Sequence, residues 1–112
     1  MSGRGRLVTL GLDKLIHEKA RLMILTYLSS SDSLGTGFTE LRDELGMSAG
    51  NLSIQLKTLE EAGLVSIEKS FKANKPNTAV RLSIEGRKAL DAYLTELETI
   101  LATAREARRE AP

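Results

Sequence analysis

The spacing of apolar residues changes twice along this chain, and the order of those changes leaves few folds open. From Leu12 to Leu28 the positions Leu12, Leu15, Ile16, Ala20, Met23, Ile24, Tyr27 and Leu28 recur at threes and fours, the period of a helix. After Gly63 the pattern shortens to β-friendly runs, Leu64-Val65 with Ile67 and then Ala79 to Ser83. Beyond Ser83 the helical period returns, with Leu90, Leu94, Leu97, Leu101 and Ala104 stepping by four, three, four and three. Helices, one hairpin and a long closing helix within 112 residues point to a single α+β domain, mainly α.

Local signals place the boundaries. Residues 1–11 contain Arg4, Arg6 and three glycines without an apolar period, so they are expected to be a flexible arm or a tag remnant. Asp13 is positioned to cap the first helix. Leu22 and Leu25 lie beside its apolar stripe, which makes the arc wide enough to suggest a second buried surface supplied by a dimer partner. Ser29 to Gly37 is dense in turn formers and is expected to be a loop. Thr39 looks like an N-cap and Gly46 a stop for a short helix carrying Leu41 and Leu45. Ser48 then caps a helix over 49–62 that Gly63 ends, and two helices across so short a Gly-containing turn form a helix-turn-helix. Residues 71–78, with Asn74, Pro76 and Asn77, are expected to be a polar loop joining the two strands. The domain thus spans 12–83. Residues 84–112 form a helix of about 40 Å, longer than so small a core can cover, and dimerisation is its natural use through Leu90, Leu94, Leu97 and Leu101, flanked by Tyr93 and Ile100.

Composition removes several classes of function. With no cysteine and one histidine, His17, thiolate zinc, Fe–S and multi-histidine centres are excluded, and neither metal nor cofactor is expected. No apolar run approaches the roughly 20 residues of a membrane span, and the expected compartment is the cytoplasm. There is no Gly-rich phosphate loop after a strand. The carboxylates Glu60-Glu61 and Glu40/Asp43/Glu44 have the spacing of solvated helix faces, so no enzyme and no catalytic residue is expected. His17 is expected to be structural, with a pH-sensitive or ligand-contacting role as the alternative.

The net charge of +1 gives no global footprint for nucleic acid; the positive charge is local, and it is either a contact surface or a chance cluster on a solvated face. From Lys69 to Arg81 there are four basic residues and no acid. On a wheel of about 100° per residue, Leu52, Leu56 and Leu59 share one face of helix 49–62. Gly50, Ser53, Ile54, Lys57 and Glu61 share the other, with Asn51 and Thr58 at the margin. Small and polar residues on an outward helix allow close approach to base edges in a major groove. Ile54 is either a contact for thymine methyls or an ordinary exposed apolar residue. Lys69, Lys72, Lys75 and Arg81, with Asn74 and Asn77, could track a phosphate backbone or enter a minor groove, or could merely solubilise a loop.

Several runs sharpen the assignment: Leu12-Asp-Lys-Leu-Ile-His17, Arg21-Leu-Met-Ile-Leu25, Phe38-Thr-Glu-Leu-Arg42, Gly50-Asn-Leu-Ser53, Leu59-Glu-Glu-Ala-Gly-Leu-Val65 and Leu82-Ser-Ile-Glu-Gly-Arg87. Over about residues 12–101 the chain resembles the small one-domain winged helix-turn-helix regulators, relatives of the MarR and ArsR families. The resemblance implies a homodimer on roughly palindromic double-stranded DNA, with the third helix in the major groove and the wing on the backbone or minor groove. It implies that Ser48, Gly50, Asn51, Ser53, Ile54 and Lys57 face DNA, with Thr58 beside them. Relatives often carry a basic or polar residue at the position of Ile54. The missing cysteines and clustered histidines depart from metal-sensing ArsR-type members. The resemblance also leaves room for a small-molecule effector of unspecified chemistry between the dimer helices, against Leu22, Tyr27 and Tyr93. The alternative is a winged helix that captures a protein partner through Ile54 and has no specific DNA.

Overall fold

The computed structural model describes residues 13–31 and 35–110, so the expected arm over 1–11 lies outside the described residues. In chain order the elements are α1 (Lys14–His17), α2 (Lys19–Ser29), β1 (Thr36–Gly37), α3 (Phe38–Leu45), α4 (Ala49–Glu61), β2 (Val65–Lys72), β3 (Lys75–Leu82) and α5 (Ile84–Glu110). The strands form one antiparallel sheet in the order β1-β3-β2. Helices pack on the inner half of that sheet, and the outer half of the β2–β3 hairpin projects as a wing. Among the described residues no helix is long and apolar enough to cross a membrane, and no group of acidic or histidine side chains is placed to hold a metal.

The single first helix expected from the apolar period is two helices. Asp13 caps α1 as expected, its carboxylate accepting from Leu15 N–H at 2.9 Å. At Glu18 the backbone turns extended (φ −69°, ψ 129°), and its own carboxylate recaps the chain by accepting from Ala20 N–H at 2.7 Å. The break costs no burial, because Ile16 before it and Ile24 after it are both fully buried. Arg21 fixes the corner by donating to the Leu15 carbonyl at 2.6 Å.

The helix-turn-helix forms where the glycines and caps put it. Gly46 ends α3 in the left-handed region (φ 64°), and the Ser48 hydroxyl caps α4 by accepting from Asn51 N–H at 3.1 Å. Helix α4 stops at Glu61, one residue short of the expected end, with Gly63 at φ 79°. Thr39 is not the cap of α3. That position belongs to Gly37, which makes no side-chain cap bond, because Thr36-Gly37 is drawn into the sheet opposite Val80 and Ala79. The segment expected to be a loop therefore contributes the third strand.

The hairpin is also longer than expected. Residues 71–78 are strand except for a two-residue turn, Ala73-Asn74, with φ of 51° and 63°. Paired left-handed residues match the right-handed twist of the strands they join. Lys72 and Lys75 close the turn, and Pro76 comes next, opposite Phe71. Pro76 therefore sits at a position that donates no ladder bond to β2, and β1 reaches no further than Ala79, so its missing N–H costs nothing.

Leu41, Leu52, Leu56, Leu59, Val65 and Val80 join Ile16, Ile24, Leu25 and Leu28 in one core, which Leu90 and Tyr93 of α5 complete. One polar tie links α2 to α3: the Tyr27 phenol donates to Glu40 at 2.8 Å. That bond, with burial and the charges of Glu40 and Glu44, pushes the phenol up to about 12. The sign follows directly. The contribution to stability is present below the ordinary phenol value of about 10 and is lost as pH rises through the raised one. Glu40→Gln is expected to return Tyr27 toward its ordinary value, which ultraviolet difference titration reads. An unmoved titration would mean that Glu40 does not hold the phenol.

Candidate nucleic-acid interface

Helix α4 divides as its wheel requires. Leu52, Leu56 and Leu59 are buried, and Gly50, Ser53, Ile54, Lys57 and Glu61 are exposed. Ile54 is 64% exposed, so it belongs to no core. Of the marginal residues, Thr58 is half-buried and its hydroxyl donates back to the Ile54 carbonyl at 3.2 Å. Asn51 is exposed and is positioned by a relay that the sequence did not disclose. Arg21 Nη1 donates to Gln55 Oε1 at 2.9 Å, and Gln55 Nε2 donates to Asn51 Oδ1 at 3.2 Å. The relay leaves Asn51 its amide N–H groups to offer. It could not be read from spacing, because Arg21 and Gln55 are 34 residues apart.

Between α4 and the hairpin runs a groove of about 730 Å³. Its floor is apolar, from Phe38, Leu56 and Ile67, and its rim carries Ser53, Lys57 and Glu60 on one side and Lys69 and Thr78 on the other. Strand alternation explains the pairing. Val65, Ile67, Lys69 and Phe71 of β2 share a face with their partners Leu82, Val80, Thr78 and Pro76, so the face that is core near the body becomes the groove wall further out.

The basic residues expected to act together are split by the same alternation. Lys69 faces the groove. Lys72, Lys75 and Asn77 belong to the other face of the ladder, the lysines flanking the turn that holds Asn74. Arg81 also lies on that other face, at the base of the hairpin, with its guanidinium 3.6 Å from Glu68 and its stem packed against Gly35. Its charge is matched, and it lies at the end of the ladder away from the turn.

The residues expected at a dimer interface separate into two groups. Leu25, Leu90 and Tyr93 are at most 3% exposed within one protomer, so they are spent on its own core and have no surface to present. Leu22 and Leu97 are half-buried against that core. Leu94, Ile100 and Leu101 keep exposed area on α5. Within one protomer Tyr27 borders a cavity without Leu22 or Tyr93. The cavity at Tyr27, about 310 Å³, is bounded by Ser30, Ser31, Gly35, Thr36 and Glu40. Tyr93 is instead paired with His17, its hydroxyl 2.7 Å from Nδ1 and the rings tilted by 47°. His17 thus gives a buried phenol its hydrogen-bond partner, the structural role expected for it.

Residues 20–101 match the family model described as a winged helix DNA-binding domain. An uncharacterized protein of Methanocaldococcus jannaschii is 31% identical over 84 residues, spanning 75% of this chain and 89% of that protein. A transcriptional regulator homologue from Pyrococcus horikoshii superposes with a TM-score of 0.75 at 22% identity, covering 91% of this chain and 96% of its own. The Mycobacterium tuberculosis regulator MosR in complex with DNA gives 0.62 at 21% identity, covering 94% and 68%. The Staphylococcus aureus MepR–DNA complex gives 0.62 at 15%, covering 95% and 81%.

Proposed function

Because this chain belongs to the winged helix DNA-binding domain family, we propose that it is a cytoplasmic, homodimeric transcriptional regulator that binds a specific double-stranded DNA site. Helix α4 enters the major groove and the β2–β3 wing lies on the adjacent backbone or minor groove. One observation carries this reading: the exposed face of α4, with Ser53 and Lys57, is continuous with Lys69 and Thr78 of the wing across a single groove. Gly50 at the start of that face has open space around its Cα, so the helix can lie close to base edges. Ile54 offers apolar contact to thymine methyls. Asn51, its oxygen held by Gln55, offers donors to acceptors on base or phosphate. Ser48 Oγ and Thr58 Oγ1 serve the helix backbone, so they set its geometry more than they read sequence.

Selection from random duplexes at low and near-physiological salt tests this directly. A two-fold symmetric site that survives the higher salt is the expected result, with half-sites about one helical turn, roughly 34 Å, apart. Lys57→Ala should weaken every duplex. The double change Lys72→Ala with Lys75→Ala should flatten the salt dependence by about two in log–log slope. Unchanged affinity in both variants would remove these residues from the interface. Capture of a protein through Ile54, with negligible duplex binding even at low salt, would favour the adaptor reading instead.

A further inference from the structure

Phe71 is the most exposed large apolar side chain among the described residues, at 75%, and nothing in the protomer needs it where it is. It stands near the tip of the wing, two residues beyond Lys69 on the same face and so about 7 Å further out along the strand. Pro76 lies directly opposite, so the tip presents an apolar pair. Pro76 and Thr78 also border a concavity against Gly37, Phe38 and Thr39, which places this face of the hairpin alongside the start of α3. The next pair outward is Lys72 with Lys75, and the Ala73-Asn74 turn that joins them is a tight two-residue one. An aromatic is thus held near the tip of a hairpin of two eight-residue strands, with Lys69 behind it on the same face and Lys72 and Lys75 just beyond it on the opposite face.

That arrangement suits an apolar slot flanked by phosphates on both sides. We propose that Phe71, backed by Pro76, is an apolar wedge that enters the DNA minor groove beside the site read by α4 and partly unstacks one base step. The inference rests on the DNA-binding reading above and adds to it a kink and a sequence preference. Apolar wedges cost least at the easily unstacked pyrimidine–purine steps, TA and CA/TG, so such a step is expected under each wing. Lys69 behind the wedge and Lys72 and Lys75 beyond it neutralise phosphates along the edges of the groove that the wedge opens. The wedge is a specificity determinant that makes no base-edge hydrogen bond.

The probe is a duplex recovered by selection, carrying 2-aminopurine in turn at each TA or CA step flanking the symmetric site, with dyes at its ends. Wild-type protein should raise the fluorescence of one such position per half-site and shorten the end-to-end distance. Phe71→Ala should abolish both signals and weaken binding about tenfold or more, with the salt slope unchanged because no phosphate contact is lost. Phe71→Leu should retain part of each. Phe71 is exposed, so neither variant is expected to unfold. Tight duplex binding with no fluorescence change, or with Phe71→Ala indistinguishable from wild type, would overturn the wedge and leave the DNA-binding reading standing. No binding of any duplex by wild-type protein would overturn both. A change in sedimentation between wild type and Phe71→Ala without DNA would assign the side chain to a contact between copies of the chain and so overturn the wedge.

Discussion

Gly86→Ala is expected to cost about 3 kcal/mol or more and to lower the melting temperature by roughly 10–20 °C. Gly86 is buried in the first turn of α5, where the helix crosses the end of the α4–β2 connection. A Cβ there would overlap the Leu64 carbonyl and lie 2.8 Å from Leu82 Cδ1. The obstacle is backbone, which cannot rotate aside as a side chain could. Nor can the carbonyl retreat freely. Leu64 O accepts from Ser83 N–H at 3.0 Å, Ser83 Oγ donates to the Gly63 carbonyl at 2.6 Å, and the same Oγ accepts from Gly86 N–H at 2.8 Å. One serine thus caps α5 and ties it to the turn that ends α4. Gly50→Ala is the matched control, since a Cβ there meets nothing within 4 Å and alanine favours helix. Urea or thermal denaturation of the two variants should differ widely. Near wild-type stability for Gly86→Ala would mean that the α4–α5 junction is soft, and that α4 is not anchored through it.

That junction also shows what the sequence could and could not disclose. Gly46, Ser48 and Gly63 announce their roles individually, because a left-handed residue or a hydroxyl cap is a local requirement, and each is found where expected. The buried and exposed faces of α4 follow from period alone. Gly86, by contrast, sits inside a helical pattern where glycine is locally unfavourable, and only the approach of Leu64 from another element explains it. The errors have the same origin. Thr36-Gly37 is too short to carry a strand period and is recruited by Val80 and Ala79, 42 or more residues away. Asn74, Pro76 and Asn77 look like loop residues, but the turn needs only two left-handed positions and the missing donor of Pro76 is tolerated just beside it. Leu25, Leu90 and Tyr93 have the composition of an interface and the placement of a core, which period cannot distinguish. At the candidate site the residue types were legible, while their grouping was not, since whether a lysine joins the groove or the opposite face depends on register.

Leu101→Asp is expected to convert the protein to a folded monomer and to weaken duplex binding by roughly a hundredfold or more. The last α5 residue packed against the core is Leu97. From there to Glu110 the helix leaves the body, giving a molecule 65 Å long and 24 Å across. A free helical arm of that length is marginal in water, and in the proposed homodimer a second copy would cover its apolar positions Ile100 and Leu101 by symmetry. Leu94→Asp or Leu97→Asp would mix two effects, because Leu97 is packed on the protomer core and Leu94 stands one turn before it. Leu101 is 44% exposed and touches no core cluster, so a charge there leaves the fold intact and removes only the seam. Sedimentation then reports assembly, circular dichroism reports fold, and duplex titration reports the loss of the second recognition helix. If Leu101→Asp remains dimeric, the seam is not the interface and the surface of α2 with half-buried Leu22 and exposed Met23 becomes the place to cut. If it is monomeric yet binds DNA undiminished, each protomer reads its site alone, and the two-fold symmetry expected of the operator disappears with the need for a dimer.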